Sequence, residues 1–395
     1  MEEFDDIRPY RDTEVPEILK QLLADKELHN TVARMRFPRL QALLGPVART
    51  MVKTAIRNEL RGVSSVMAFQ LVVKKYFDRM TAVSTRSVTE SGMDNLKRDG
   101  AYLFISNHRD IALDPAFVNT ALYCEGMNTA RIAIGDNLLS KPFASHLMRL
   151  NKSFIVNRSA QGRQLLMATK KLSAYIRMSL QEEKESIWLA QREGRAKNSL
   201  DKTEPAIIKM LSLSRNRKDE AFSDFIRGLN IVPVSISYEW DPCDELKARE
   251  LAAKSAGQDY EKAAHEDLKS IGMGITGQKG AVHVHFGDLI QGEFETPEQV
   301  ADAIDAQIWQ NYVLHPSNFV AYEMRYGTMP QLPVGKDGEA FDHSKHGYAK
   351  AVMTRRLSVI PAQMRDIFLD IYANPIISRL KVAGQSVNRV KTLAS

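Results

Sequence analysis

The chain of 395 residues is 44% hydrophobic and 26% charged, proportions that exclude a disordered or fibrous protein and suit a large packed core. Its net charge of +6 and pI near 9.1 favour an anionic partner: nucleic acid, anionic lipid, a phosphorylated substrate or an acidic carrier protein. Two distant cysteines, Cys124 and Cys243, exclude a disulfide framework or zinc knuckle and suit a reducing compartment, and no apolar run reaches the roughly 18 residues of a spanning helix, which leaves peripheral membrane contact.

The first residues, MEEFDDIRPYRD, are acidic and have no apolar core, unlike a secretory signal. At roughly 150 residues per domain the length suits two or three units, and the texture changes near residues 85 and 295. Residues 1–85 read as helical. Asp12-Thr13 can cap a run with Val15, Ile18, Leu19, Leu22 and Leu23 on one face. Residues 40–60 carry Arg49, Lys53 and Arg57 on an apolar background, followed by Arg61, and residues 63–80 hold Met67, Leu71, Val72, Tyr76 and Phe77. A helical cap is expected here, with a basic amphipathic surface for anionic lipid as the alternative.

In residues 86–295 short apolar runs alternate with helical patterns. Strands are expected over 102–106, 131–135, 153–156, 187–190, 231–238 and 282–286, and a helix bearing Leu165, Ala168, Leu172, Ile176 and Leu180 lies between the third and fourth. The implied fold class is α/β: a mostly parallel mixed sheet flanked by helices, with a helical N-terminal cap and a helical C-terminal extension over 296–395. Residues 241–280, charged and punctuated by Gly272, Gly274, Gly277 and Gly280, read as a surface loop, with a mobile lid as the alternative. Residues 327–347 read as a further loop. Residues 355–391 read as helical and basic, with Arg356, Arg365, Arg379, Lys381, Arg389 and Lys391.

The stretch LFISNHRDIALDP leads from a strand into a helix and puts His108, Asp110 and Asp114 in one turn. An imidazole beside an orienting carboxylate serves general-base chemistry; a polar loop with a capping Asp is the alternative. Two later strand ends present Arg158 and the run Arg192-Glu193-Gly194-Arg195, with Lys197 just beyond. A guanidinium suits bidentate capture of phosphate and a glycine allows close backbone approach. Arg158, Arg195 and Lys197 can therefore bind a phosphate together. Fifteen Lys or Arg against six Asp or Glu give residues 152–218 a charge of +9, which would draw such a ligand in. A fourth run, NIVPVSISYEWD, is an apolar strand containing Pro233. His283 and His285 alternate on a strand and read as packed or hydrogen-bonded rather than metal-binding. His343 and His346 read as solvated, and Met67, Met148, Met167, Met178 and Met210 as core. No GxGxxG or Walker pattern points to a nucleotide cofactor. Scarce aromatics near the basic segment, where Trp188 lies within a strand, disfavour nucleic acid.

In order and spacing these runs resemble the four blocks of the glycerolipid acyltransferases, the superfamily of glycerol-3-phosphate and lysophosphatidic acid acyltransferases. Its blocks are N-H-x4-D, a run ending F-I-x-R, E-G-x-R-S, and an apolar strand with a proline. The counterparts are Asn107-His108, Phe154-Ile155 with Arg158, Glu193-Gly194-Arg195, and Val232-Pro233-Val234, within a resemblance covering residues 101–290. Two features depart from it: five residues separate His108 from Asp114, and Arg158 stands three positions after Ile155 instead of two. The resemblance implies an enzyme moving a fatty acyl group from a thioester, acyl-CoA or acyl carrier protein, to a hydroxyl of glycerol 3-phosphate or a lysophospholipid. His108 would be the general base and Asp114 its orienting acid, with Asp110 as the other candidate partner. Asn107, Arg158, Glu193, Gly194, Arg195, Lys197 and Pro233 would form the substrate site, without metal or cofactor. A cytoplasmic protein with peripheral contact on the inner face of the membrane would fit. The rival is a non-catalytic lipid- or phosphate-binding protein on the same fold, supported by the altered His–Asp spacing.

Overall fold

The computed structural model describes residues 2–139, 141–258, 260, 266–330, 332 and 343–384. The chain forms two compact units, one of Met1–Arg79 with Ala130–Tyr175 and one of Met80–Thr129 with Ile176–Ser395. Among the described residues the strands are β1 (Thr85–Ser91), β2 (Leu103–Ser106), β3 (Arg131–Gly135), β4 (Ser153–Val156), β5 (Ile187–Ala190), β6 (Ile231–Tyr238) and β7 (Gly280–Phe286).

In the first unit the helices Val15–Ala24, Lys26–Arg36 and Pro38–Glu59, with the first turns of Val66–Ser84, surround a core of Val15, Ile18, Leu19, Leu22, Leu28, Val66, Phe69 and Leu150. The three-and-four spacing of the first run thus becomes a buried face. Asp12 caps a different helix from the one expected, because its Oδ1 accepts the Val66 backbone N–H at 2.8 Å. The helix Lys26–Arg36 is started by Asp25, which accepts the Leu28 N–H at 2.8 Å. The run expected over 40–60 begins at Pro38 and bends at Leu44, two residues before Pro46, whose ring does not fit against a preceding helical turn. Strands β3 and β4 pair in parallel, Ile132 opposite Ser153. Met148 and Met167 are exposed at 37% and 62%, so they are not core residues.

In the second unit the strand order is β1-β7-β6-β2-β5. Leu103 of β2 lies opposite Ile187 of β5 and Ile231 of β6, both parallel, whereas β6 and β7 are antiparallel and β7 and β1 parallel. The sheet is mixed and mostly parallel, as expected, and β2, β5 and β6 are near-continuous apolar runs because both faces are covered. Every expected strand is present, with ends shifted by at most two residues. Strand β1 was not expected: its sequence TRSVTES is polar and largely exposed at a sheet edge, where no hydrophobic alternation is needed.

The helices Pro297–Asn311, Pro316–Tyr326, His343–Ser358 and Arg365–Val382 follow, and a core of Trp240, Val320, Tyr322, Met353, Phe368, Tyr372 and Ile376 lies among them and the segment after β6. Two cations of the expected basic C-terminal surface are internal. Arg356 pairs with buried Asp244 and lies over the Trp240 ring at 5.0 Å. Arg379 donates to the carbonyls of Trp309 and Tyr312 at 3.0 and 2.6 Å. Arg389 and Lys391 lie outside the described residues. The loop expected over 327–347 gives way to helix at His343, and His346, expected to be solvated, lies 2.8 Å from Glu323 through its Nε2. Residues 241–280 contain the helices Asp244–Ser255 and Glu266–Thr276, with Asp244, Lys247 and Glu250 buried, so the described part of this region is not a surface loop.

Candidate active site

The central strand β2 ends at Ser106, and the next residue fixes how the chain leaves the sheet. Asn107 is fully buried. Its Oδ1 accepts the Ile236 N–H at 2.7 Å, and its Nδ2 donates to the Ile236 carbonyl at 3.0 Å and to Asp201 at 3.1 Å. The side chain imitates one more rung of the β2–β6 ladder, and both ends of its amide are occupied inside the protein. His108 follows at the strand's carboxyl edge, its ring edge-on to Trp188 of β5 with centroids 5.6 Å apart. Only 12% of the imidazole is exposed.

Asp114 lies in the first turn of the helix Leu113–Cys124 and is fully buried. Its Oδ2 accepts from His108 Nδ1 at 2.8 Å and from the backbone N–H groups of Arg109 and Asp110 at 2.6 and 3.0 Å. Its Oδ1 accepts from the Tyr238 hydroxyl at 2.7 Å. An ionised carboxylate only accepts, so the neutral His108 ring carries its proton on Nδ1 and leaves Nε2 as a free acceptor. Asp110 points elsewhere: its Oδ1 accepts from the N–H groups of Ala112 and Leu113 at 3.0 and 2.9 Å, which closes the start of the helix. That turn absorbs the fifth residue between His108 and Asp114. Burial, then the nearby Asp114 charge, pushes the Asp110 carboxyl above the usual range.

The loop after β5 is tied to this turn by main-chain bonds. Gln191 N–H donates to the Ser106 carbonyl at 2.8 Å and Ala196 N–H to the His108 carbonyl at 3.2 Å. Gly194 has φ +69° with open space where a Cβ would stand, so glycine is needed there for its backbone conformation rather than for room. Arg195 makes no hydrogen bond or ion pair among the described residues. Lys197, by contrast, pairs with Glu250; burial holds its pKa below the usual lysine value while Glu250 opposes that effect. Glu193 is exposed. Pro233 is buried in β6 opposite Ile105, where its carbonyl accepts the Gly287 N–H at 2.8 Å. Arg158 belongs to the first unit, just after β4, with its backbone N–H on Asp136 at 3.2 Å. The second unit therefore gathers Asn107, His108, Asp110, Asp114 and the loop of Glu193, Gly194, Arg195 and Lys197.

Several members of this cluster had no signal in the sequence. Buried Arg109 pairs with Asp201 and stacks over the Tyr312 ring at 5.3 Å, while Lys247 donates to the Arg109 carbonyl at 2.8 Å and pairs with Asp241. Burial pushes the Asp201 carboxyl up despite Arg109; for Asp241 burial acts the same way, but Lys247, the Cys243 N–H and Arg195 together outweigh it and hold the carboxyl below its ordinary value. These partners are far apart in sequence, so no local spacing could mark them. Tyr238 ends a strand that was recognised, yet its role depends on which way the last side chain points. His283 and His285 share the Ser91 hydroxyl at 2.8 Å each, and His283 also reaches Thr89 at 2.7 Å, so both are hydrogen-bonded, as expected.

These features define a class: an α/β domain with a carboxylate-anchored histidine at the carboxyl edge of its sheet and a cationic loop bonded to the same turn. Residues 87–237, which contain both, match the family model described as Acyltransferase. Among solved structures it is similar to the 1-acyl-sn-glycerophosphate (LPA) acyltransferase PlsC from Thermotoga maritima, at 13% identity and a TM-score of 0.35, over 71% of this chain and 93% of that one. A comparison with curated proteins finds no match.

The helix Glu266–Thr276 approaches the histidine turn so closely that a Cβ on Gly274 would lie 2.0 Å from Asp110 Oδ2, whereas Gly272 has nothing within 4 Å of that position. Gly274→Ala must displace a buried capping carboxylate, so it should lower stability by about 1–2 kcal/mol, the scale of a lost cap. Gly272→Ala should be neutral or slightly stabilising, since alanine is the better helix former. Thermal melts of the two variants check this, and equal melting temperatures would mean that the helix does not press on Asp110.

Proposed function

We propose that the protein transfers a fatty acyl group from an acyl thioester, on CoA or acyl carrier protein, to a hydroxyl of glycerol 3-phosphate or a lysophospholipid, with His108 as general base. The observation that carries this is the contact of His108 Nδ1 with Asp114, inside the matched segment and on a turn bonded to the Arg195 loop. Asp114 holds the tautomer in which Nε2 can take the hydroxyl proton, and the alkoxide then attacks the thioester carbonyl. A direct attack of this kind needs no Ser or Cys nucleophile, metal or further cofactor. The turn closed by Asp110 accommodates the extra residue between His108 and Asp114, which supports the catalytic reading over a non-catalytic binder on the same fold. Acyl transfer by the purified protein, tested with both thioesters against a panel including glycerol 3-phosphate and lysophosphatidate, tests the reading. His108→Ala and Asp114→Asn should each lower kcat by at least about a hundredfold, the lower end of what a positioned base contributes, with the fold intact by melting. Asp110→Asn should keep substantial activity, because Asn caps a helix nearly as well as Asp. A folded, inactive Asp110→Asn beside an active Asp114→Asn reverses the assignment.

Arg195 is the proposed ligand for the acceptor phosphate, since its guanidinium makes no hydrogen bond or ion pair among the described residues and its loop is bonded to His108. Arg195→Ala should raise KM for a phosphorylated acceptor several-fold more than KM for the thioester. Lys at this position should rescue only partly, as it lacks the planar fork. Arg158 carries the same expectation from its motif alone. An unchanged acceptor KM in either alanine variant removes that residue from the phosphate site.

Membrane contact is proposed for the helix Pro38–Glu59. Arg49, Lys53 and Arg57 stand four residues apart on it, and each can contribute about 1 kcal/mol near an anionic leaflet. Leu43, Leu44, Val47 and Met51 of the same helix are exposed, Leu43 by 82%, which adds an apolar stripe to the electrostatic contact. Among the described residues no helix is long and apolar enough to cross a membrane. Sedimentation with anionic vesicles should show binding that high salt weakens but does not abolish, and replacing Leu43 and Val47 by Ser should remove the salt-resistant part. Complete release of the unaltered protein by salt would leave only electrostatics.

A further inference from the structure

Proton transfer at His108 requires Asp114 but assigns no task to the group on the carboxylate's other oxygen. We propose that Tyr238 is a positioning residue that acts on His108 through Asp114, holding Oδ1 so that Oδ2 stays in line with Nδ1–H and setting how much negative charge the imidazole meets. This rests on the acyl-transfer reading above.

Tyr238 closes β6, opposite Val282 of β7, and is buried, with its ring edge-on to Phe117 at 5.9 Å. Its hydroxyl reaches Asp114 Oδ1 at 2.7 Å. The terminal torsion of an aspartate is broad, and a carboxylate held through Oδ2 alone could swing away from the ring it orients. A donor on Oδ1 stops that rotation. Phenylalanine would fill the same space but leave Oδ1 bare in buried surroundings, and an unpartnered buried acceptor is costly.

The hydroxyl also withdraws charge. Among the described residues Asp114, Asp110 and Asp241 act on it most, and burial together with Asp114 and Asp110 raises its pKa well above the ordinary tyrosine value, so it keeps its proton throughout. In the reaction the acceptor's O–H proton moves to Nε2, the new O–C bond forms at the thioester carbonyl, and the C–S bond breaks. The departing thiolate then recovers the proton from Nε2. Asp114 stays ionised and Tyr238 stays neutral, so the tyrosine alters the ease of the first transfer without giving or taking a proton. Without its hydroxyl Asp114 concentrates more charge on the imidazole, stabilises the imidazolium and raises the pH at which His108 loses its proton. The acidic limb of kcat/KM, which reports the free base, then moves up in pH.

The test compares Tyr238→Phe with a protein carrying 3,5-difluorotyrosine at position 238, whose more acidic phenol is a stronger donor. Tyr238→Phe should lower kcat about tenfold, the low end for a lost outer partner of a functional side chain. KM for both substrates should change by less than about twofold, because neither is touched. Its acidic limb should move to higher pH and that of the fluorinated protein to lower pH. A loss of folding stability alone would move neither limb. A folded Tyr238→Phe with unaltered kcat and pH profile overturns the proposal. If Tyr238→Phe does not fold, the fluorinated protein decides, and an unmoved limb overturns it. An active His108→Ala instead overturns the acyl-transfer mechanism itself, whatever Tyr238 does.

Discussion

A buried carboxylate that must stay charged is the constraint on which the site depends. Asp114 is removed from water, where an unpartnered charge is costly. Two backbone N–H groups, a tyrosine hydroxyl and the His108 ring surround it with four donors. Each of these comes with a piece of the fold. The N–H groups require the tight turn that Asp110 closes, the hydroxyl requires β6 to end at Tyr238 beside the helix Leu113–Cys124, and the imidazole requires β2 to stop at Asn107. Moving any of these by a residue would leave the charge uncompensated, so the same bonds that stabilise the turn also orient the imidazole.

A second layer holds the turn from outside. Arg109 and Asp201 form an ion pair with almost no access to water, Lys247 secures the Arg109 carbonyl, and Ala196 reaches the His108 carbonyl. Replacing only one partner of a buried ion pair strands the other charge, so these residues tie the histidine turn to the loop of Arg195 and to the region 241–280. The net positive charge of residues 152–218 is thereby sorted by structure: Lys197 and Arg177 form ion pairs with Glu250 and Glu220, whereas Arg195 forms none among the described residues.

Much of this was legible in the chain itself, and the exceptions have physical causes. Strands buried on both faces, such as FIS in β2 and VPVSI in β6, announce themselves by unbroken apolar runs, and the NHRD…D and EGR runs mark their carboxyl ends. The same signal fails for β1, a polar edge strand, and for the region 241–280, whose charges look like solvated surface until Asp241, Asp244, Lys247 and Glu250 are seen to pair in the interior. Asp12 shows a different limit. Its place before an amphipathic run suggested a local cap, yet it bonds Val66, more than fifty positions away. Partners supplied by tertiary structure leave no spacing to read, which also hid Tyr238 and Asp201 behind recognised neighbours.

The central claim, that Asp114 fixes His108 with Nε2 free to take a proton, is tested most directly by nitrogen NMR of the protein labelled with 15N-histidine, the His108 signals being assigned by their loss in His108→Gln. The account requires that the neutral ring carry its proton on Nδ1 and leave Nε2 unprotonated. A proton on Nε2 in that state would contradict it, because the ring would then have no free acceptor facing the substrate.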